Sequence, residues 1–142
     1  MIIEESTSSG HHDYGYFRML EEGFDVTVAA PKKKPLRTVV HMPFGLDGTW
    51  DTFQELPGFI IVPDASLDEI DPSAFAALVI PGGRGPEHLR VDNRCLAAGC
   101  IWVQTREAVV DGNIVTAGRR PDYDVWMRAF VSLLKERGIK PA

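Results

Sequence analysis

The stretch from residue 76 to residue 86 constrains the fold of this 142-residue chain more than any other. Its first part, Ala76–Ile80, is a nearly continuous apolar run, which is typical of a parallel strand that helices cover on both faces. The run leads directly into Pro81–Pro86, which contains three glycines. Because open α/β sheets bind their ligands at the carboxyl ends of parallel strands, the stretch predicts an α/β fold with a functional turn after this strand.

The rest of the chain alternates between helical and extended patterns. Gly23 and Gly138 are placed to end two helices in left-handed caps, and Asp71 with Pro72 resembles a helix start. Ser6–Gly10 is predicted as a flexible loop because small hydroxyl residues and glycine favour turns. With no repeat or linker, the alternation predicts a single domain over residues 1–142 with a mostly parallel sheet. The predicted elements are helices over 14–22 and 123–137, strands over 24–30, 38–42, 58–62 and 101–103, a turn-rich segment over 45–52, and a hairpin over 108–116 that turns at Asp111-Gly112. One apolar stripe at a period of 3.6 residues is predicted to be the buried side of the last helix, and it consists of Val125, Trp126, Ala129, Phe130, Leu133 and Leu134.

The composition excludes several classes of partner. A net charge of -5 and a pI near 5.3 argue against nucleic acid and against an anionic membrane surface. No apolar run approaches the ~18 residues that span a bilayer, and residues 1–5 lack the basic start and apolar stretch of a signal peptide. The chain is therefore expected to be cytoplasmic. Its two cysteines, Cys95 and Cys100, form neither a disulfide framework nor a Cys-x-x-Cys pair, which fits that compartment.

Gly82 and Gly83 are the first candidate site residues. Because they lack a Cβ, both leave room for backbone N–H groups to approach a developing oxyanion at close range. A tight turn after the strand explains the same two glycines, and the pair alone leaves both interpretations open.

The longer string from Ala77 to Arg90 resembles the signature of the ThiJ/PfpI (DJ-one) family, in which a strand, Pro-Gly-Gly-Arg-x-Pro-Glu and an arginine follow in that order. Residues 16–26 are similar to the family's first helix and second strand. Residues 109–116 and 126–130 resemble its closing hairpin and final helix. The resemblance covers nearly the whole chain and implies a flavodoxin-like three-layer sandwich, of the kind shared with class I glutamine amidotransferases.

The resemblance also implies a function. The family is associated with cysteine-dependent chemistry as peptidases, glyoxalases that need no cofactor, and protein or nucleotide deglycases, some of them stress-related. A small aldehyde or a peptide-like compound is the implied substrate, and a homo-oligomer the implied assembly. Glu87 matches an acid that reaches the active site of a neighbouring subunit, which makes it a candidate to orient a catalytic histidine. A carboxylate near a helix N-terminus, favoured there by the helix dipole, explains Glu87 equally well.

The family's nucleophile has no counterpart in this chain. It lies on a strand-to-helix elbow, in a string like Ala-x-x-Cys-His-Gly, where a sharp turn exposes the thiol. Cys95 has no preceding strand, no neighbouring histidine and no glycine elbow, and Cys100 begins a predicted buried strand. Both are predicted to be structural thiols, because a buried cysteine behaves as a small hydrophobe.

The resemblance breaks between Arg94 and Leu96. At that point, near 94–96, the family has a helix, the nucleophile strand, another helix and a further connection, a few dozen residues that are absent here. Removing a central strand opens sheet edges and exposes apolar surface, which a marginally stable domain has to compensate. Three explanations stay open: the molecule contains a segment that this sequence lacks, the chain is an inactive family member stabilised by oligomerisation, or Cys95 serves as nucleophile after a rearrangement.

A second departure lies in the first loop. The family commonly places there a glutamate that tunes the thiol, and the matching position is His11. His11 and His12 are metal ligands by type, but no cysteine or carboxylate follows at a matching spacing. We therefore predict a solvent-exposed loop pair and no metal site, and structural roles for His41 and His88.

Overall fold

A computed structural model describes residues 1–43, 53–101, 105, 107–117 and 122–141. The predicted segment 45–52 lies outside the described residues, as do Trp102 and Val103 of the predicted strand 101–103. No helix of the described chain is long and apolar enough to cross a membrane. In chain order the elements are α1 (Ser9–Glu21), β1 (Ala29–Ala30), β2 (Leu36–Pro43), β3 (Phe53–Ile61), β4 (Ala65–Ser66), 3-10 turns at Leu67–Glu69 and Pro72–Ala74, α2 (Gly85–His88), α3 (Val91–Ala97), β5 (Val109–Asp111), β6 (Ile114–Thr116) and α4 (Tyr123–Glu136).

A parallel sheet lies at the centre of the fold. β1 pairs with β4 in parallel, and Ile2 forms a parallel bridge with Ala29 on the other side of β1. The backbone N–H of Ile2 donates to the carbonyl of Val79 at 2.9 Å. The order across the sheet is thus β4, β1, Ile2 and Val79, and the predicted α/β class with a parallel sheet is confirmed.

Two antiparallel hairpins complete the β structure. β2 pairs with β3 from Leu36↔Ile61 to Pro43↔Phe53, and β5 pairs with β6. In the second hairpin Asp111 is still paired with Ile114, so the turn consists of Gly112 and Asn113, one residue later than predicted. Gly112 has a φ of +59°, which the first position of a two-residue hairpin turn requires.

The predicted strand over 24–30 is shorter in the structure. Only Ala29–Ala30 belongs to β1, because the backbone N–H of Val28 donates to the Asp64 carboxylate at 2.8 Å and not to a neighbouring strand. The carbonyl of Val28 accepts from the backbone N–H of Asp64 at 2.7 Å. Asp64 therefore ends the parallel pairing on this side.

The main hydrophobic core joins α1, α4 and Val79, which is the residue hydrogen-bonded to Ile2. Met127 is fully buried, and Phe130, Leu133 and Leu134 are buried as predicted. Val125, Trp126 and Ala129, also predicted for the buried stripe, are only partly buried, and Met127 and Val131 take their place. The core cluster consists of Met19, Val79, Met127, Phe130, Val131 and Leu134.

Glu22 joins α1 to α4 at the surface. Lys135 Nζ lies 2.9 Å from Glu22 Oε2, and Arg18 contacts the other carboxylate oxygen. The hydrogen bond from Lys135, together with Arg18, lowers the pKa of the Glu22 carboxyl below its ordinary value. The two glycine caps predicted from the sequence hold the adjoining helix ends, with φ of +83° at Gly23 and +71° at Gly138.

The apolar run 76–80 is less covered than predicted. Ala76, Ala77 and Leu78 are exposed, Leu78 to 54%, and only Val79 is buried. Residues 76–78 make no backbone hydrogen bond to another described residue. The run does not form a regular strand in the structure, and the expectation of helices on both faces is wrong for residues 76–78, because their side chains are exposed to solvent and not covered by any described element.

Candidate active site around the glycine turn

The loop before α1 is bound to the turn that follows Val79. The backbone N–H of Ser8 donates to the carbonyl of Gly82 at 2.8 Å, and the N–H of Arg84 donates to the carbonyl of Ser6 at 2.9 Å. Thr7 and Ser8 are buried, and the carbonyl of Ser8 accepts the first bond of α1, from His12, at 3.0 Å. α1 consequently begins at Ser9, five residues before the predicted start, and the loop prediction over Ser6–Gly10 is wrong for its last two residues.

The close approach of this loop explains the glycines. Gly83 has a φ of +97°, and a Cβ there would lie 2.3 Å from the backbone nitrogen of Ser8. A Cβ on Gly85 would lie 2.3 Å from Thr7 Oγ1, and one on Gly82 would lie 3.0 Å from His11 Cε1. These glycines are therefore required for packing, whatever chemistry the turn performs.

His11 lies on α1 and places its imidazole against Gly82. Its Nδ1 is 3.5 Å from the hydroxyl of Tyr123, and the two ring centroids are 4.4 Å apart. Trp126 contributes a second aromatic ring, 6.4 Å from the imidazole. The side chain that faces the turn is thus a half-buried imidazole between Gly82 and two aromatic rings of α4.

His12 points to a different part of the fold. Only 7% of His12 is exposed. Its imidazole stacks on the ring of Tyr16, with the ring centroids 5.7 Å apart, and its centroid is 6.1 Å from that of the Phe59 ring. Its Nδ1 lies 3.0 Å from an Asp13 carboxylate oxygen, and its Nε2 is buried with no hydrogen-bond partner among the described residues. The prediction of an exposed loop pair is wrong for both histidines, because both belong to α1 and pack against other residues. His11 contacts Gly82 and Tyr123, whereas His12 contacts Tyr16 and Phe59.

Glu87 lies on the short helix α2 and is exposed, with 68% of its side chain accessible. Its carboxylate is 3.7 Å from the Arg84 guanidinium, which also lies 3.7 Å from Glu55. Glu55 in turn contacts His41 Nε2 at 3.0 Å. Within the described chain the charge nearest to Glu87 is therefore an arginine, and its predicted partner histidine remains a prediction.

Neither cysteine is at the glycine turn. The atoms nearest to a Cβ on Gly82 or Gly83 belong to His11 and to residues 6–8. Cys95 lies on α3 and Cys100 follows it, and both are exposed. The prediction that they are buried thiols is wrong, because α3 packs on α2 while its outer surface, including Leu96 at 63% exposure, is uncovered.

A shallow groove of about 530 Å³ lies along α1 and the start of α4. Tyr123 belongs to the site at the turn and to the groove, since its hydroxyl faces His11 and its ring lines the groove. Sequence patterns gave no sign that Tyr123 and Trp126 belong to the site, because they lie more than a hundred residues from His11. The groove is lined by Gly10, Asp13, Tyr14, Phe17, Arg18, Glu21 and Tyr123.

Comparison with known proteins gives a consistent assignment. The sequence profile of the DJ-1/PfpI family matches residues 12–98, more than half of the chain. The chain is 28% identical to "Deglycase PfpI" of Pyrococcus furiosus over 167 aligned positions, which cover 86% of this chain and 90% of that protein. Shorter matches are "Protein/nucleic acid deglycase 2" of Escherichia coli, 55% identical over 31 residues (22% of this chain and 18% of that protein), and "General stress protein 18" of Bacillus subtilis, 50% identical over 34 residues (24% and 20%).

The longer alignment also gives the number of aligned positions at which this chain has a gap. Since 86% of 142 residues is about 122, about 45 of the 167 aligned positions face a gap in this chain. That total is comparable with the few dozen residues that the motif order predicts to be missing.

Proposed function

The chain belongs to the DJ-1/PfpI family, and from this premise we propose that it acts by self-association and not by cysteine chemistry. One observation carries the proposal: both cysteines are exposed on and after α3, and neither is among the nearest neighbours of Gly82 or Gly83. Thiol catalysis needs an activated sulfur beside the donors that stabilise the developing oxyanion. Here the positions beside those donors belong to His11 and residues 6–8.

The proposed partner is a second copy of this chain. Residues 76–78 present backbone N–H and carbonyl groups that no described residue pairs, and this chain has a gap at about 45 positions of its alignment with the Pyrococcus furiosus relative. Two copies of one strand edge related by a two-fold axis complement each other's N–H and carbonyl groups. Two exposed apolar side chains at the same segment, Phe75 and Leu78, add surface that favours burial.

We expect the protein to sediment as a dimer or larger species at micromolar concentration, above the monomer mass of 15.7 kDa. Leu78→Lys should weaken the association at least about tenfold, or ~1.4 kcal/mol, because it places a charge in the paired edge. Ile60→Lys is the matched control, since Ile60 is 53% exposed but lies on β3. Analytical ultracentrifugation over a range of concentrations measures both. A monomeric wild type, or equal effects of the two substitutions, would contradict the proposal.

A second candidate is an enzyme of the relatives' deglycase class, acting on a small aldehyde or peptide-like substrate. The intact Pro81–Glu87 turn favours it, with Gly82 and Gly83 as oxyanion donors and Glu87 as the acid that acts across a subunit interface. This candidate needs a nucleophile, which is either Cys95 after a rearrangement or a cysteine in a segment that this sequence lacks.

Activity and mass separate the two candidates. We expect no turnover of methylglyoxal, glycated peptide or casein above a heat-denatured control, and no change on Cys95→Ser. The intact mass should equal 15.7 kDa. Turnover that Cys95→Ser abolishes would establish the rearranged nucleophile. A mass several kilodaltons higher would establish an additional segment, and either result would overturn the non-catalytic assignment.

A further inference from the structure

The C-terminal end of α3 brings its two cysteines into one backbone motif. The N–H of Gly99 donates to the carbonyl of Leu96, and the N–H of Cys100 donates to the carbonyl of Cys95, both at 3.0 Å. Gly99 has a φ of +86°. These two bonds around a left-handed glycine define a Schellman motif, in which the side chains at the two ends of the larger ring commonly contact each other. In this chain both of those positions are cysteine.

Both thiols are free and exposed, so a soluble oxidant reaches them. A disulfide requires Cα atoms about 4.4–6.8 Å apart, and the hydrogen bond between Cys100 and Cys95 holds their backbones within a single turn. We propose that Cys95 and Cys100 are a redox modification site, in which a hydroperoxide converts the two thiols into a reversible disulfide across the end of α3.

The reaction balances with hydrogen peroxide as the oxidant. One cysteine, as thiolate, attacks a peroxide oxygen, the O–O bond breaks, and a sulfenic acid and one water result. The second thiolate attacks the sulfenic sulfur, the S–S bond forms, and the hydroxyl leaves as a second water. Two S–H bonds are lost, the two sulfurs are oxidised together by two electrons, and the peroxide is reduced to two waters.

The motif favours this product over the alternatives for an exposed thiol. A partner thiol held in the same turn has a high effective concentration, so it intercepts the sulfenic acid before a second oxidant molecule or another protein does. A disulfide that closes a short loop gains little from loop-closure entropy, and an exposed one is accessible to reducing thiols. The bond should therefore be readily reversed by dithiothreitol or by reduced glutathione.

Intact mass after peroxide treatment tests the proposal directly. Reduced protein is treated with hydrogen peroxide, unfolded, alkylated with iodoacetamide and weighed. We expect the loss of two hydrogens, no alkylation of either cysteine, a single chain on a non-reducing gel, and full recovery of both thiols with dithiothreitol. Oxygen adducts on separate cysteines, or disulfides between chains, would overturn the proposal.

Two glycine variants test whether the motif positions the thiols. A Cβ on Gly99 would meet no atom within 4 Å, so Gly99→Ala changes only the preference for the left-handed conformation. The equilibrium constant for the disulfide in glutathione buffers should fall about tenfold, which corresponds to ~1.4 kcal/mol. Gly138→Ala is the matched control, with a φ of +71° and the same open space at the end of α4. It should leave that constant unchanged, and equal behaviour of the two variants would refute the role of the motif.

Discussion

Replacing Gly83 with alanine should destabilise the protein by about 3 kcal/mol or more, one of the two largest losses that we expect from a single substitution. Two penalties add at this position. A φ of +97° is strained for any residue with a side chain, and the new Cβ would lie 2.3 Å from the backbone nitrogen of Ser8. The clash is with backbone, so loop 6–8 has to leave the turn and break its hydrogen bond to Gly82. Urea unfolding measures the loss, and hydrogen exchange at the Ser8 amide should accelerate.

Gly112→Ala separates the two penalties. Gly112 also has a left-handed φ, +59°, but a Cβ there would meet no atom within 4 Å. Only the conformational penalty of roughly 1–2 kcal/mol should remain. Equal losses for the two variants would show that loop 6–8 does not approach the turn as closely as described.

Truncating Met127 to alanine should cost about 2–5 kcal/mol of stability. Its side chain is completely buried between α4, α1 and Val79, so its removal leaves a cavity that the surrounding residues cannot fully close. The thermal midpoint and the urea midpoint should both fall.

Met42→Ala is the chemically identical control for this second prediction. Met42 is 45% exposed on β2, and its truncation should change stability by at most about 0.5 kcal/mol. A loss at Met127 that is no larger than the loss at Met42 would contradict the position of the core.

Local signals in the sequence were sufficient for the elements that depend on few residues. The last helix and its glycine stop at Gly138 were predicted. At Asp71 the cap was predicted and its side chain accepts a hydrogen bond from the backbone of Ser73, but the helix expected after it is only the 3-10 turn Pro72–Ala74. The α/β class followed from the alternation of helices and strands. These features are determined by residues that are close together in the sequence, so a short stretch of sequence is sufficient to predict them.

Features that depend on distant contacts were missed. The start of α1 depends on the bonds of Ser8 and Ser6 to the turn at Gly82–Arg84, which no local pattern reveals. The burial of His12 depends on Tyr16 and on Phe59 of the hairpin. Cys95 and residues 76–78 are exposed because no described residue covers them, although their apolar sequence patterns are typical of buried positions.

The position of Ile2 in the sheet affects how the chain can fold. Ile2 lies between β1 and Val79, so these contacts are complete only when the first residues meet a segment from the second half of the sequence. During synthesis, β1 is available to pair soon after residues 1–3 have emerged, whereas Val79 follows much later. Pairing over such a separation is slow because a long loop has to close first. We therefore expect the centre of the sheet to close as a late step, after α1 and the β2–β3 hairpin have formed.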